Sequence, residues 1–596
     1  MTIEKALVVD LRGSIPLDAG RADAVVSAGF SAVLVNVQQL DGDAAAFRRM
    51  ATRAGLTGLT VHFEQQETHL LDRAEAFGAT GVVVRASACD KLRTVSLAAA
   101  ELGLSFAVCP EAKSDLEHRV LAGEGLADLP LFLATDRMLV EGRRPADFRG
   151  LQPGDLGWLQ LTDLHLRGLQ KGAQAFPGLG HLTLAPLVAL LARKGFLGPW
   201  VVSRGSTAKE PMAIDDLAKD MKLARQALLN VLDQASFSEP SLQEARAILP
   251  PRVTAKGFEF IELAINEACR GEVEALLRAL SFRLERQHRN APVDLWRQGA
   301  INIVLNAEIE ASGQRPFVCD MGLRVDDAHL SAQRAGMLGA HHHAPSRLPG
   351  RLPIPAMKDS LGTIVHFIDQ KSDTHRVWDI EFTATAVKSS PWPAGLRRVD
   401  HMAQVMPEAE MDGLMLYYLS TFGLTKRTQV GMQDPAGMVA SQALETPEGE
   451  VRIALNGVET ASAASSDTSV QHVAFQTDDI FETAAVLSAS GFAALPVPAG
   501  YYEDLARRLD IDEALLAALQ ATHVLYDRDG SGGEFFQLYS LPLSSGLFFE
   551  IVQRKGGYSG YGAANSPVRR SALAQLSNHR WDRPTSSHPE RADNHV

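Results

Sequence analysis

Two histidines and one carboxylate are the residues best suited to act together. His401 lies in Val399-Asp400-His401-Met402, His472 in Val470-Gln471-His472-Val473, and Glu550 in Leu547-Phe548-Phe549-Glu550-Ile551. Each sits in a short apolar run of strand character. Such a set can cover one face of an octahedral metal and leave the opposite positions open to substrate and dioxygen. Separations of 71 and 78 residues suit ligands from separate strands of one curved sheet, not a local helix motif. Spacing of this kind does not identify a metal site unaided.

These residues need a framework to position them. Eight short β-branched runs alternate with Ala/Leu/Arg-rich stretches: Ala6–Val9, Ala32–Asn36, Gly58–His62, Gly81–Arg85, Ser105–Cys109, Leu131–Ala134, Leu156–Leu161 and Trp200–Arg204. Eight βα units in roughly 250 residues predict a TIM barrel, placed over 1–235, with 236–252, ending in LPPR, as a linker. Beyond it the pattern becomes repeated β-α-β-β modules. An internal duplication relates Phe258–Asp369 to Val399–Val552: GFEFIELAI parallels RRVDHMAQV, GLRVDDAHLSAQRA parallels VAFQTDDIFETAAV, and GTIVHFIDQK parallels GLFFEIVQRK. In that register His401 falls opposite Glu262, His472 opposite Asp320 and Glu550 opposite His366. The first module, 253–390, therefore lacks the ligand set, and the second, 396–574, carries it. His341–Pro353, which opens with three histidines, reads as an exposed loop, and 575–596 is too poor in apolar residues to order itself.

At 596 residues the chain exceeds one hydrophobic core, and 46% hydrophobic with 22% charged residues is an ordinary globular composition. A net charge of -13 supplies no basic field for nucleic acid or anionic lipid. No apolar run reaches spanning length, and MTIEKALVVDLRG lacks the layout of a signal peptide; a cytoplasmic protein is expected. The four cysteines, with no CxxC pair, read as reduced, buried thiols.

The flanks of the three ligands carry a resemblance. VDHM, VQHVAFQTDDI and LFFEIVQRKGGYSGYG, with PVPAGYYEDLARR, VLYDRDGSGGEFFQLYS and Asn456 of RIALNGV, are similar to 4-hydroxyphenylpyruvate dioxygenases of the vicinal-oxygen-chelate (VOC) superfamily across most of 396–566. The resemblance implies two tandem VOC domains after the barrel and Fe(II) held by His401, His472 and Glu550, with other divalent metals compatible. It implies an aromatic 2-oxo acid and dioxygen as partners. It assigns Ser441, Asn456, Gln471, Gln537 and Gln553 to the substrate pocket, and puts Tyr561 where a ring-stacking Phe is usual. The family's closing aromatic is replaced by Ser566, and the loop before Gln471, ASAASSDTS, departs from the family pattern. Both changes alter the pocket rather than the metal chemistry.

The whole arrangement resembles the bacterial 3-dehydroshikimate dehydratase fusion proteins, with FPGLG (176–180), INIVLNAE (301–308) and KGGYSGYGAAN (555–565) the closest stretches. In that family the barrel is related to sugar-phosphate isomerases and binds Mg, Mn or Co through two Glu, an Asp and a Gln. Here Cys109, Ala134 and Ser203 fall at three of those positions and only Gln160 is retained, with Glu111 and Asp136 the nearest acids. A two-residue shift along a strand displaces a side chain by roughly 7 Å, so the barrel reads as degenerate and Gln160 as a relic within a packed strand. Three functions follow: a non-haem dioxygenase; a dehydratase using a rearranged Glu111, Asp136 and Gln160; or a non-catalytic metalloprotein that captures an aromatic or shikimate-type acid. Modules of this superfamily also pair within or between chains, so a homo-oligomer is compatible.

Overall fold

A computed structural model describes all residues except 1–6, 13–15, 64–68, 87–91, 111–128, 137–143, 153, 168–169, 205–212, 243–248, 310–314, 345–350, 360, 387–393, 428–431, 435–436, 459–469 and 582–596. The chain separates into two compact units. One comprises Met1–Arg252 with Gln333–Gly339 and Met415–Ser420; the other comprises Val253–Ala332, Ala340–Leu414 and Thr421–Val596.

The first unit is a closed barrel of eight parallel strands, in which Trp200–Val202 pairs with Leu7–Asp10 to complete the ring. The expected strands are all present, with ends displaced by a residue or two. They are β-branched runs without polar alternation because helices cover their outer faces and side chains fill the interior. Val8, Leu34, Val83, Ala107, Cys109, Phe132, Trp158 and Val201 form that filling. Trp158 crosses the lumen so closely that a Cβ at Gly81 would meet its ring 2.8 Å away. One element was not foreseen: an antiparallel hairpin, Asp163–Arg167 with Gln170–Ala175, follows the strand bearing Gln160.

The second unit holds two modules of matching topology. In the first, Phe258–Ala264 pairs parallel with Ile301–Asn306 and antiparallel with Phe317–Arg324, which pairs parallel with Ile364–Ile368. In the second, Leu396–Pro407 pairs parallel with Arg452–Val458 and antiparallel with Val470–Thr477, which pairs parallel with Phe548–Lys555. A helix follows the second strand of each long antiparallel pair. In the second module it is Ile480–Ala489, capped by the Asp479 carboxylate on the amides of Phe481 and Glu482, both at 3.0 Å.

Three expectations are corrected. His341–His343 is not a loop but a short strand pairing with Ala356–Lys358. The final helix, Ser566–Trp581, runs beyond the expected start of the tail at 575. The duplication register is also off at one position. Both modules carry a bulge where one residue of the first strand has no ladder partner: Glu259 between Phe258 and Phe260, and Asp400 between Val399 and His401. Each has a second bulge on the opposite strand, at Cys319 and at Gln471. Aligned on these bulges, Asp320 matches His472 and His366 matches Glu550, but His401 matches Phe260, and Glu262 matches Ala403. Among the described residues, no helix is long and apolar enough to cross a membrane.

Candidate metal centre

Three neighbouring strands deliver His401, His472 and Glu550 to one point. His401 pairs with Ala474, and Ala474 with Glu550, while His472 pairs with Ala403 and Phe548. The two Nε2 atoms lie 3.2 Å apart, and Glu550 Oε2 lies 3.5 Å from that of His401 and 3.3 Å from that of His472. Among the described residues this is the only group of three or more His, Cys, Asp or Glu whose ligand atoms all fall within 4.8 Å of one another. Glu550 and His401 are buried, 1% and 2% exposed, and His472 is half-buried.

Burial opposes charge on His401, but its hydrogen bonds to Asp400 and Glu550 raise its pKa, so a cation entering the set displaces a proton from that ring. His401 Nδ1 lies 2.8 Å from Asp400 Oδ1. This contact fixes the proton on Nδ1 and turns the Nε2 lone pair toward the centre. Burial pushes the His472 imidazole down to about 3 despite Glu550, so the ring is neutral. Burial opposes the charge on Glu550, but His401 beside it holds the carboxyl below its ordinary value. A deprotonated carboxylate and two imidazole nitrogens are a borderline donor set for a divalent metal, and the residues fit one.

Sequence reasoning missed the support behind His401. Asp400 is fully buried and accepts from Arg554 Nη2 at 2.9 Å, Arg554 Nε at 3.0 Å and Arg452 Nη1 at 3.2 Å. Burial would raise its pKa, yet Arg554 holds it well below the carboxylate range. Adjacency of Asp400 to His401 was visible, but the arginines lie far along the chain. Phe548 was also missed; its ring stacks on His472 with centroids 4.8 Å apart.

The expected pocket residues divide. Gln537 donates from Nε2 to Glu550 Oε1 at 2.8 Å and accepts from Asn565 Nδ2 at 2.8 Å. It thereby joins the carboxylate ligand to the 558–566 segment, and Gly562 is required there because any Cβ would overlap the Gln537 amide. Tyr561 sets its ring edge-on to His401, centroids 5.7 Å apart, and donates to Glu445 Oε2 at 3.0 Å. Gln471 is the bulged residue before His472, a position that re-aims a side chain. Ser441 pairs with Asn456, and Asn456 with Val405, which shares the His401 face of its strand. Gln553 is corrected. Its Oε1 accepts from Ile480 N at 3.3 Å and its Nε2 donates to Asp478 O, so its amide anchors the start of a helix rather than facing a substrate pocket. Ser566 begins the final helix.

In the barrel, Gln160 does not meet the expected acids. Its Oε1 accepts from Arg12 Nη2, and its Nε2 donates to Thr162 Oγ1 at 3.0 Å. Arg12 reaches back to Asp10 through Nε at 3.0 Å and Nη2 at 2.9 Å, and its guanidinium lies 5.4 Å from the Phe132 ring centre. Asp136 accepts instead from Gln174 at 2.6 Å, and Glu111 lies outside the described residues. Asp10 ends the first strand and Arg12 lies two residues on, without any motif to signal them.

The hydroxyphenylpyruvate dioxygenase N-terminal family matches residues 251–383. Over 328 residues the chain is 31% identical to a 4-hydroxyphenylpyruvate dioxygenase of Pseudomonas sp. (strain P.J. 874), covering 52% of this chain and 91% of that protein. A solved structure of a xylose isomerase-like TIM barrel/4-hydroxyphenylpyruvate dioxygenase fusion protein superposes with a TM-score of 0.82 at 26% identity, over 96% of this chain and 99% of that one. The chain is 33% identical over 448 residues to a 3-dehydroshikimate dehydratase of Pseudomonas putida, covering 71% of this chain and 70% of the relative. It is 34% identical over 474 residues to one of Pseudomonas aeruginosa, covering 75% and 74%. By these relatives and by its architecture, this chain belongs to the 3-dehydroshikimate dehydratase family, as a TIM barrel fused to a 4-hydroxyphenylpyruvate dioxygenase-like pair of VOC modules.

Proposed function

We propose that the chain is a metal-dependent dioxygenase of an aromatic 2-oxo acid that works at His401, His472 and Glu550. The observation that carries this reading is the convergence of those three ligand atoms, with the His401 ring locked by Asp400. Iron(II), the metal of the resembled family, would supply there a centre able to chelate a 2-oxo acid and bind dioxygen. The chain's own residues do the rest. Gln537 holds Glu550 in position, Tyr561 walls the His401 side, and Asn456, Ser441 and the bulged Gln471 offer polar groups to the substrate.

The same reading makes the barrel a scaffold. The guanidinium of Arg12 takes the oxygen of the retained Gln160, so a divalent cation there would meet a fixed positive charge. Oxygen uptake with homogentisate formation from 4-hydroxyphenylpyruvate, in the presence of Fe(II) and ascorbate, tests the proposal. No uptake by iron-loaded protein would overturn that substrate.

A second reading, a dehydratase in the barrel, draws support from the Pseudomonas relatives named 3-dehydroshikimate dehydratase. It predicts protocatechuate from 3-dehydroshikimate with Mn(II), Mg(II) or Co(II), lost in Gln160→Ala. A flat absorbance trace with all three metals excludes it.

A further inference from the structure

The final helix, Ser566–Trp581, sets a charged side chain beside the metal centre. Arg569 holds its guanidinium carbon 4.5 Å from the centre of the Phe548 ring and 5.9 Å from that of Tyr539. Phe548 is the ring that stacks on His472, and Tyr539 pairs with Glu550 across the sheet. The Tyr539 hydroxyl accepts at 2.7 Å from the same Gln537 Nε2 that donates to Glu550. Two of the three ligand positions are therefore one side chain away from this guanidinium.

The charge of Arg569 is felt at both. It works to lower His472, and Glu550 works to keep Arg569 charged. Burial acts against that charge, and with Arg570 it holds Arg569 below the ordinary guanidinium range. Burial also keeps the Tyr539 phenol far above its ordinary value, so that group is neutral. Among the described residues, the Arg569 guanidinium makes no hydrogen bond and no ion pair; its contacts are ring faces. Arg554 and Arg452, by contrast, are both committed to Asp400. A half-buried guanidinium has given up hydration, and ring faces offer its N–H donors no acceptor. Glu550 is the one carboxylate acting on it, and Glu550 belongs to the metal set. With a divalent cation at the triad, the Glu550 charge is already outweighed, and Arg569 is left as a second, uncompensated positive charge.

We infer that Arg569 selects the substrate of this centre, and that the substrate is a 2-oxo acid bearing a second carboxylate on the group that lies along Phe548. The inference rests on the dioxygenase reading and narrows its substrate class. The 2-oxo acid end balances the metal side alone, whereas a carboxylate at the other end meets the planar fork of Arg569 with two parallel N–H donors. Ser566, one turn earlier on the same helix face, adds a hydroxyl beside it. A 4-hydroxyphenyl group brings no charge to this guanidinium.

The test is calorimetric binding, without oxygen, to full-length Fe(II)-loaded protein. The probes are 4-carboxyphenylpyruvate and phenylpyruvate, which differ by the second carboxylate. Wild type is expected to bind the dicarboxylate at least about tenfold more tightly, the worth of one charged hydrogen-bonded pair. In Arg569→Met the two affinities should come within about threefold of each other, and Arg569→Gln serves if that variant does not fold. Equal wild-type affinities, or a preference kept in the folded variant, overturns the inference and leaves the 2-oxo acid reading standing. Binding of neither acid to iron-loaded wild type overturns both.

Discussion

Asp400→Asn isolates the support behind the metal centre from the ligands themselves. The carboxylate touches no ligand position except through His401 Nδ1, 2.8 Å away, and is held in turn by Arg554 and Arg452. An amide of the same shape can present its NH2 to His401 Nδ1. That would favour the tautomer with a proton on Nε2 and block the lone pair facing the centre. Losing such an outer partner costs about 10- to 100-fold in metal affinity, or about 1.4–2.8 kcal/mol at 1.4 kcal/mol per tenfold. A separate effect falls on the fold, because two buried guanidiniums lose their counter-charge, a change worth about 3 kcal/mol. Anaerobic competition against a chromophoric chelator gives the metal affinity, and urea unfolding of the metal-free protein gives the second quantity. Folded Asp400→Asn protein that binds metal within threefold of wild type would refute the claim that Asp400 sets the His401 tautomer.

Three further outcomes are expected. Gly562→Ala places a methyl group on the Gln537 amide at a φ of 60°; it should destabilise the second unit by about 1–3 kcal/mol and weaken metal binding, both seen in a thermal melt with and without metal. Asp359→Asn should stabilise the protein at pH 7.5 but not at pH 3.5. Burial raises the Asp359 carboxyl to about 6 from 3.8, so the native state binds more protons than the unfolded chain between those values. Stability is then lost as pH rises through that window, by up to about 3 kcal/mol at 1.36 kcal/mol per unit; equal urea midpoints for variant and wild type at pH 7.5 would contradict it. Arg12→Ala should leave oxygen uptake unchanged if the barrel is a scaffold, and a loss of uptake in folded variant protein would show otherwise.

Much of the architecture was legible because its signals are local. Barrel strands buried on both faces are written as unbroken runs such as Gly81–Ala86, so their positions emerged nearly to the residue. His401, His472 and Glu550 emerged because their flanks are distinctive, while their spacing was uninformative. What stayed hidden depends on long-range pairing. Asp400 and Arg554 are 154 residues apart and meet only when the sheet forms. Arg12 and Gln160, 148 residues apart, meet only when the barrel closes. Bulges leave no mark in composition, and the match of His401 to Phe260 rather than Glu262 emerged only from the ladder pairing. Gln553 illustrates the opposite error: a polar residue in a family-like stretch, three residues from Glu550, spends its amide on backbone at 478–480.

The most direct test of the metal centre is a difference measurement. Wild type and Glu550→Ala are loaded with Fe(II) without oxygen, desalted, and assayed for iron per chain. The account predicts that wild type retains one equivalent more than the variant. Equal retention by the two folded proteins would contradict it.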